Sequence, residues 1–518
     1  MTYCIGIDIG GTNVDAVLLD SHNKILAETK QITTSDVMQG VDKAVEMLLA
    51  DKSINRSLIN RAMLGTTHCT NAIVERKGLA PIAHFRLTSP AALSIHPLTD
   101  MPLEFKNSLS IHLFSVHGGY HYDGKLFSEL DEEALRKQIH SIKDLVKSVS
   151  VCGLFSPITD EQERRVELLI KEILGDSVAI SLSSKIGTIG LLERENATIL
   201  NATLCQVARG ITERFQQTLR RHDINAELYF GQNDGTLMSL SQARKFPVLT
   251  IASGPTNSIF GAAKLASLEE AIVVDVGGTT TDVGIVKKGY PRQSYLSAEI
   301  GGVRTNFRMP DVTSIGLGGG SVVKVSGDNT INIGPESVGY QLPHKSLVFG
   351  GDVLTVTDIA VAMGWANIGD RNKIAHLSSK LVEKAAYCYV SMIESVLRKM
   401  NNSANNLPVI LVGGGAELLP IKLKGASKVI RPLHSGVANA IGVAMAQVSG
   451  SVDMIVSTKS KTLEVYLEQV ENMAIKAAVE AGAVPESIKI VELESLPLGY
   501  MSEDMIRIKA KASGSLKR

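Results

Sequence analysis

The chain has 518 residues, more than one hydrophobic core organises, so two or three domains are expected. Its 44% hydrophobic and 20% charged residues describe an ordinary globular protein, and 53 Lys and Arg balance 53 Asp and Glu, which leaves no basic field for nucleic acid. Five scattered cysteines (Cys4, Cys69, Cys152, Cys205, Cys388) without a Cys-x-x-Cys argue against a disulfide frame or a zinc site. No apolar run reaches the roughly eighteen residues of a membrane span. No basic leader precedes the first strand, so a cytoplasmic location is expected.

The chain opens on Ile7-Asp-Ile-Gly-Gly-Thr-Asn-Val-Asp15, flanked by apolar runs from Cys4 and to Leu19. That order predicts strand, glycine turn, strand: a β-hairpin with bare backbone N–H groups at its tip. Lys24 to Thr29 is expected as a third strand, and residues 36–50 carry apolar positions at helical spacing. A Thr- and Asn-rich loop follows at 64–71, then short strand-like segments over 81–128. Helices at 131–146 and 160–174 alternate with strands at 149–154 and 178–182, the pattern of α/β units. Residues 189–220 form a long helical region, Thr236 to Arg244 reads as a short helix, and Ser253-Gly-Pro255 as a tight turn.

At Val274-Asp-Val-Gly-Gly-Thr-Thr-Thr-Asp282 the opening motif returns. Asp8, Gly10, Gly11, Thr12 and Asp15 recur as Asp275, Gly277, Gly278, Thr279 and Asp282, at one constant offset. Beyond it lie a glycine loop at Gly316 to Ser321, helices at 356–364 and 377–399, and a buried strand Pro408 to Val412. That strand ends in Gly413-Gly414-Gly415, turns into a helix, and is followed by a small-residue helix at 436–448. Ser449-Gly-Ser451 marks a boundary before a helix at 462–481 and strands at 487–494 and 504–512. Three domains are expected: 1–185, 186–450, and a small C-terminal α/β module at 451–518.

Two glycine hairpins suggest a polyphosphate gripped from both sides, because glycine backbones let phosphate oxygens approach without a Cβ in the way. Asp8 and Asp275, just ahead of the turns, are the expected Mg²⁺ shell, since magnesium is held by one or two carboxylates plus substrate phosphates. Gly10, Gly11, Gly277 and Gly278 offer backbone donors, and Thr12, Asn13, Thr279 and Thr280 side-chain ones. Asp15 and Asp282, seven residues after Asp8 and Asp275, either face the cleft or bond structurally. Gly413, Gly414 and Gly415 form the flat wall a nucleoside needs. There is no Walker-type Gly-x-x-x-x-Gly-Lys-Ser/Thr, and the hairpins continue as strands, which excludes a Rossmann turn.

This arrangement resembles the superfamily of acetate and sugar kinases, Hsp70 chaperones and actin. The implied fold is α/β, with duplicated actin-like (ribonuclease H-like) ATPase domains around a nucleotide cleft. Gly65-Thr-Thr-His-Cys-Thr-Asn-Ala-Ile-Val-Glu-Arg-Lys-Gly78 narrows the resemblance to the hydantoinase A/5-oxoprolinase family over most of residues 1–450. So do Asn196 to Ala202, Ser253-Gly-Pro255, Ser314 to Ser321, Gly334 to Gly339 and Gly350 to Asp358. The chain departs from that family at Thr256-Asn257-Ser258, where Ala-Gly-Gly is usual, and at Glu195, where an arginine is expected.

The resemblance implies ATP-dependent opening of a cyclic amide or imide of the hydantoin or 5-oxoproline type, with ATP and Mg²⁺ as cofactors. ATP would phosphorylate the amide oxygen and so create a leaving group that water can displace. A second, hydantoinase B-type subunit is the implied partner, with self-association also open. Thr66, Thr67 and Asn71 are candidates to bond the substrate ring, against the plainer reading of a loop that satisfies its own backbone. Asp358 reads as a helix N-cap or a base. His112, His117 and His121 have a spacing that admits a metal but lack an acidic ligand, and His68–Cys69 invites a nucleophile reading without a nameable base. Rival functions are a small-molecule kinase, a ketone carboxylase subunit, and a non-catalytic ATP-driven switch.

Overall fold

The structure, a computed structural model, describes residues 2–11, 13–33, 36–294, 298–307, 309–326, 330–401, 406–459, 461–499 and 504–516. Thr12 lies outside the described residues.

Two sheets share one strand order. In the first, Ile25–Ile32, Asn13–Asp20 and Tyr3–Ile9 run antiparallel, and Ile59–Thr66 and Glu227–Gly231 then add in parallel. In the second, Val312–Ile315, Thr281–Lys287 and Ala271–Val276 are antiparallel, and Val409–Val412 and Val429–Ile430 add in parallel. A shared order of three antiparallel and two parallel strands is the structural form of the sequence repeat: an α/β fold with duplicated actin-like domains. The hairpin strands are buried nearly throughout, because Val37–Leu48 covers one face and Ala438–Met445 the other. The outer strand Ile25–Ile32 instead alternates half-buried and exposed residues.

Helix Ser253–Ala266 joins the halves. Ile259, Ala262 and Ala263 pack on the second sheet, and Phe260 packs with Ala440, Ile441 and Met63 of the first half. It crosses helix Ala438–Met445 at backbone contact: a methyl at Gly442 would lie 1.9 Å from the Asn257 carbonyl oxygen. This helix is absent from the sequence reading, which took Ser253-Gly-Pro255 as a tight turn. Proline is accepted in a helix's first turn, where its missing N–H costs nothing, and here Pro255 sits in that turn.

A four-stranded parallel sheet, in the order Ile111–His117, Ile82–Ser89, Ser148–Gly153, Ala179–Leu182, is inserted in the first half and backed by helix Leu191–Arg221. Other elements differ locally from expectation. The helix expected at 131–146 is Glu132–Ser141, and Thr236 to Arg244 is a strand Leu237–Ser239 followed by helix Leu240–Lys245. The glycines at 413–415 lead into a single 3₁₀ turn, Ala416–Leu418, instead of a helix. Strand Val448–Ser457 runs straight through the Ser449-Gly-Ser451 segment. With Leu237–Ser239, Met505–Gly514 and Lys489–Pro497 it extends the first sheet to nine strands among the described residues. Gly450 fits there because helix Leu463–Glu480 lies directly against its backbone.

Candidate functional site

Register places the two pairs of aspartates identically. Asp8 stands opposite Asp15 and Asp275 opposite Asp282, so each pair of carboxylates shares one face of its hairpin. Both turns close alike, with Gly10 N–H donating to Asn13 O and Gly277 N–H to Thr280 O, each at 2.9 Å. Above Gly11 and Gly278 there is open space. The second tip is propped by the Gly316–Ser321 loop, whose Gly319 and Gly320 N–H groups donate to Gly277 O and Gly278 O at 3.0 and 2.7 Å. Thr279 lies beside Gly339, and Thr280 is exposed.

Asp8 is buried and held by both crossing helices. Asn257 Nδ2 donates to its Oδ1 at 2.9 Å, and Asn439 Nδ2 to its Oδ2 at 3.0 Å. Gly65 backs it so closely that a methyl there would meet Oδ1 at 2.1 Å. Burial pushes the Asp8 carboxyl up to about 6, against the Asn257 bond, and the Asp15 charge adds to the rise. Asp275 is half-buried and also pushed up to about 6 by burial, against the Ser258 hydroxyl, with Asp282 adding. Asp15 is raised by burial despite Lys30, whose Nζ lies 2.5 Å from its Oδ1. Asp282 is raised by burial, opposed by Ser314. Lys30, opposite Asp15, comes within 3.9 Å of a methyl placed on Gly414, beside the second hairpin, so the two hairpins border one cleft.

Gly413 turns at φ +87°, a left-handed conformation suited to glycine, and lies against the Asp275 carboxylate and the Val276 carbonyl. Gly415 N–H donates to Val276 O at 2.8 Å, which leaves Gly414 as the glycine that opens to solvent. The triplet thus fixes the second hairpin as well as bordering the cleft.

The remaining candidates read more plainly. The Thr66 hydroxyl lies 2.7 Å from His68 Nδ1, and Thr67 Oγ1 donates to Ile9 O at 3.3 Å. Asn71 is exposed on helix His68–Glu75. Asp358 is fully buried and accepts from Ser346 Oγ, Val348 N–H, and the Thr355 N–H and hydroxyl, which makes it a capping residue. Burial raises the Cys69 thiol to about 11 and lowers His68 to about 4, so neither is charged at neutral pH. His112, His117 and His121 are exposed. Among the described residues, no three or more His, Cys, Asp or Glu side chains converge to hold a metal directly.

Sequence reasoning missed Lys30, Asn257, Ser258 and Asn439. Lys30 was readable from register, since the third strand places it opposite Asp15. Asn257 and Ser258 had been noticed only as departures, yet Asn257 bonds Asp8 and the buried Ser258 hydroxyl lies near Asp275. Glu195 also finds its reason. It accepts from Arg86 Nε and Nη2 at 2.6 and 2.7 Å and lies 2.8 Å from His84 Nε2, all three fully buried. The acid at 195 is thus matched by an arginine and a histidine on strand Ile82–Ser89.

The raised carboxyls carry a pH prediction. Unfolded carboxylates titrate near 4, so between about pH 4 and 6 the native state holds more protons than the unfolded one. Their contribution to stability is therefore greatest below that window and falls as pH rises through it. Melting of the metal-free protein against Asp275→Asn should show the wild type losing ground from pH 4 to 6. A pH-independent difference would contradict the assignment.

Fold and site define an α/β protein with paired glycine hairpins, each carrying two aspartates on one face. Residues 4–174 match the hydantoinase/oxoprolinase N-terminal region and residues 194–368 the hydantoinase/oxoprolinase domain. The chain belongs to the hydantoinase/oxoprolinase family. It is 25% identical to the caprolactamase subunit alpha of Pseudomonas jessenii, over 76% of this chain and 61% of that one. It is 22% identical to the acetone carboxylase beta subunit of Xanthobacter autotrophicus, over 98% of this chain and 77% of that one. The crystal structure of the ATP-dependent caprolactamase from Pseudomonas jessenii shares the fold at a TM-score of 0.78 and 19% identity, covering 99% of this chain and 88% of that one. Among the described residues no helix is long and apolar enough to cross a membrane.

Proposed function

We propose that this protein uses Mg²⁺-ATP to activate a cyclic amide or imide for ring opening. The observation that carries the reading is the cleft itself: two hairpins of one geometry, each bringing a carboxylate pushed up to about 6 beneath an open glycine tip. Burying like charges this way is costly for an empty protein and is relieved by a divalent cation. Asp8 and Asp275 would hold the ion through its waters, and the glycine N–H groups of both tips would receive phosphate oxygens. Bound ATP would supply a phosphoryl group that turns the amide oxygen into a leaving group. The chain's own task is then positioning and charge neutralisation, which dominate phosphoryl transfer. The Thr66–Thr67 loop adjoins Asp8 through Gly65 and is the wall nearest the first hairpin on which a ring could rest. Membership of a family that includes a lactamase supports the substrate class, and relatives named as subunits support a partner chain.

A ketone carboxylase subunit is the second reading, favoured by similarity to the acetone carboxylase beta subunit along nearly the whole chain. One assay separates them: ATP consumption against cyclic amides, imides, sugars and ketones, with and without bicarbonate and a candidate partner subunit. The hydrolase reading expects turnover with a lactam or imide and a ring-opened product, independent of bicarbonate. Turnover confined to a ketone plus bicarbonate, or to a sugar, would overturn it.

A further inference from the structure

We infer that Lys30 is the side chain that reads the terminal phosphates of the bound nucleotide, an inference that rests on the ATP reading above. Among the described residues, Lys30 is the cation whose charge acts on Asp8, Asp15 and Asp275 together. It stands on the outer strand of the first half, opposite Asp15, and reaches across the cleft to Gly414 of the second. A methyl on Gly414 would lie 3.9 Å from the Lys30 Cε. Glu28, two residues back and on the same strand face, lies 2.7 Å from Nδ1 of His434, so this face borders the second half at Glu28 as well as at Lys30.

A structural ion pair does not account for Lys30. The duplication supplies an internal control: at the equivalent register the second hairpin pairs Asp282 with Ser314, without a cation. The fold therefore builds this hairpin without a lysine, and the charge is present in one copy alone. Exposure points the same way. The Asp15 side chain is 4% exposed while that of Lys30 is 34% exposed. An ammonium carries three donors, and the described contacts commit one of them, to Asp15. Four aspartates line the two hairpins, and a polyphosphate entering among them meets net repulsion that magnesium and this one lysine are placed to offset.

The test is calorimetric titration of the full chain with Mg²⁺ plus a non-hydrolysable ATP analogue and, separately, with AMP. Lys30→Met should weaken the analogue by about 10- to 100-fold, the range for a lost charge-assisted bond, and leave AMP unchanged. Lys30→Arg should retain most of the affinity. Because Lys30→Met leaves Asp15 buried without its cation, the double variant Asp15→Asn/Lys30→Met is titrated beside it. It should melt near the wild type and still lose the analogue selectively. An unchanged ratio of analogue to AMP affinity in both variants overturns the role of Lys30 alone. A wild type that binds neither nucleotide overturns the ATP reading and this inference with it.

Discussion

Asp275→Ala is expected to lower Mg²⁺-dependent ATP turnover by about a thousandfold or more, the scale on which preorganised charge at a transferring phosphoryl group acts. Without metal at neutral pH its melting temperature should match or exceed that of the wild type, because the variant removes a carboxylate that burial makes costly to ionise. Asp8→Ala should remove turnover equally but cost stability as well. Its carboxylate is the acceptor for both Asn257 and Asn439, and the buried Asn257 amide left without an acceptor costs about 1–3 kcal/mol, while the half-buried Asn439 can turn to water. The pair of variants thus separates the ion from the scaffold. Steady-state rates at saturating Mg²⁺, with melting curves for each protein, are the measurement. Full activity in both variants would remove the proposed ion site.

This asymmetry shows what the sequence could and could not carry. The repeat of Asp8 through Asp15 at Asp275 through Asp282 is local, and its consequences were legible: two hairpins, two sheets of one order, four aspartates on matching faces. Hairpin register even implies Lys30, given that a third strand pairs back on Asp15. Asn257 and Asn439 were not legible, because they reach Asp8 from 249 and 431 residues away through two helices that cross at Gly442. One of those helices was hidden by a proline that marks a turn as readily as a helix start. Gly413 and Gly415 were expected at a nucleoside wall, and the structure shows them also bracing Val276, a packing duty that spacing alone does not express. The C-terminal strands looked like a separate module because nothing local tells a strand which sheet it will join.

Glu195 is where the second large effect is expected, on stability instead of catalysis. Burial alone would raise its carboxyl, but His84 and Arg86 outweigh that and hold it below the ordinary range. Its contribution is accordingly present at neutral pH and lost as pH falls through the depressed value. Glu195→Gln leaves the Arg86 guanidinium buried without a counter-charge, and breaking a buried pair in this way costs about 3–5 kcal/mol. Glu195→Arg, which restores the residue the family resemblance led us to expect, should be worse, because it sets two cations together beneath strand Ile82–Ser89. The double replacement Arg86→Met/Glu195→Leu removes both charges and should recover most of the loss, since apolar groups of similar volume commonly match a buried pair. Denaturant midpoints of the three proteins decide the matter. If Glu195→Arg matched the wild type, the buried pair of Arg86 and Glu195 would not be what holds this helix to its sheet.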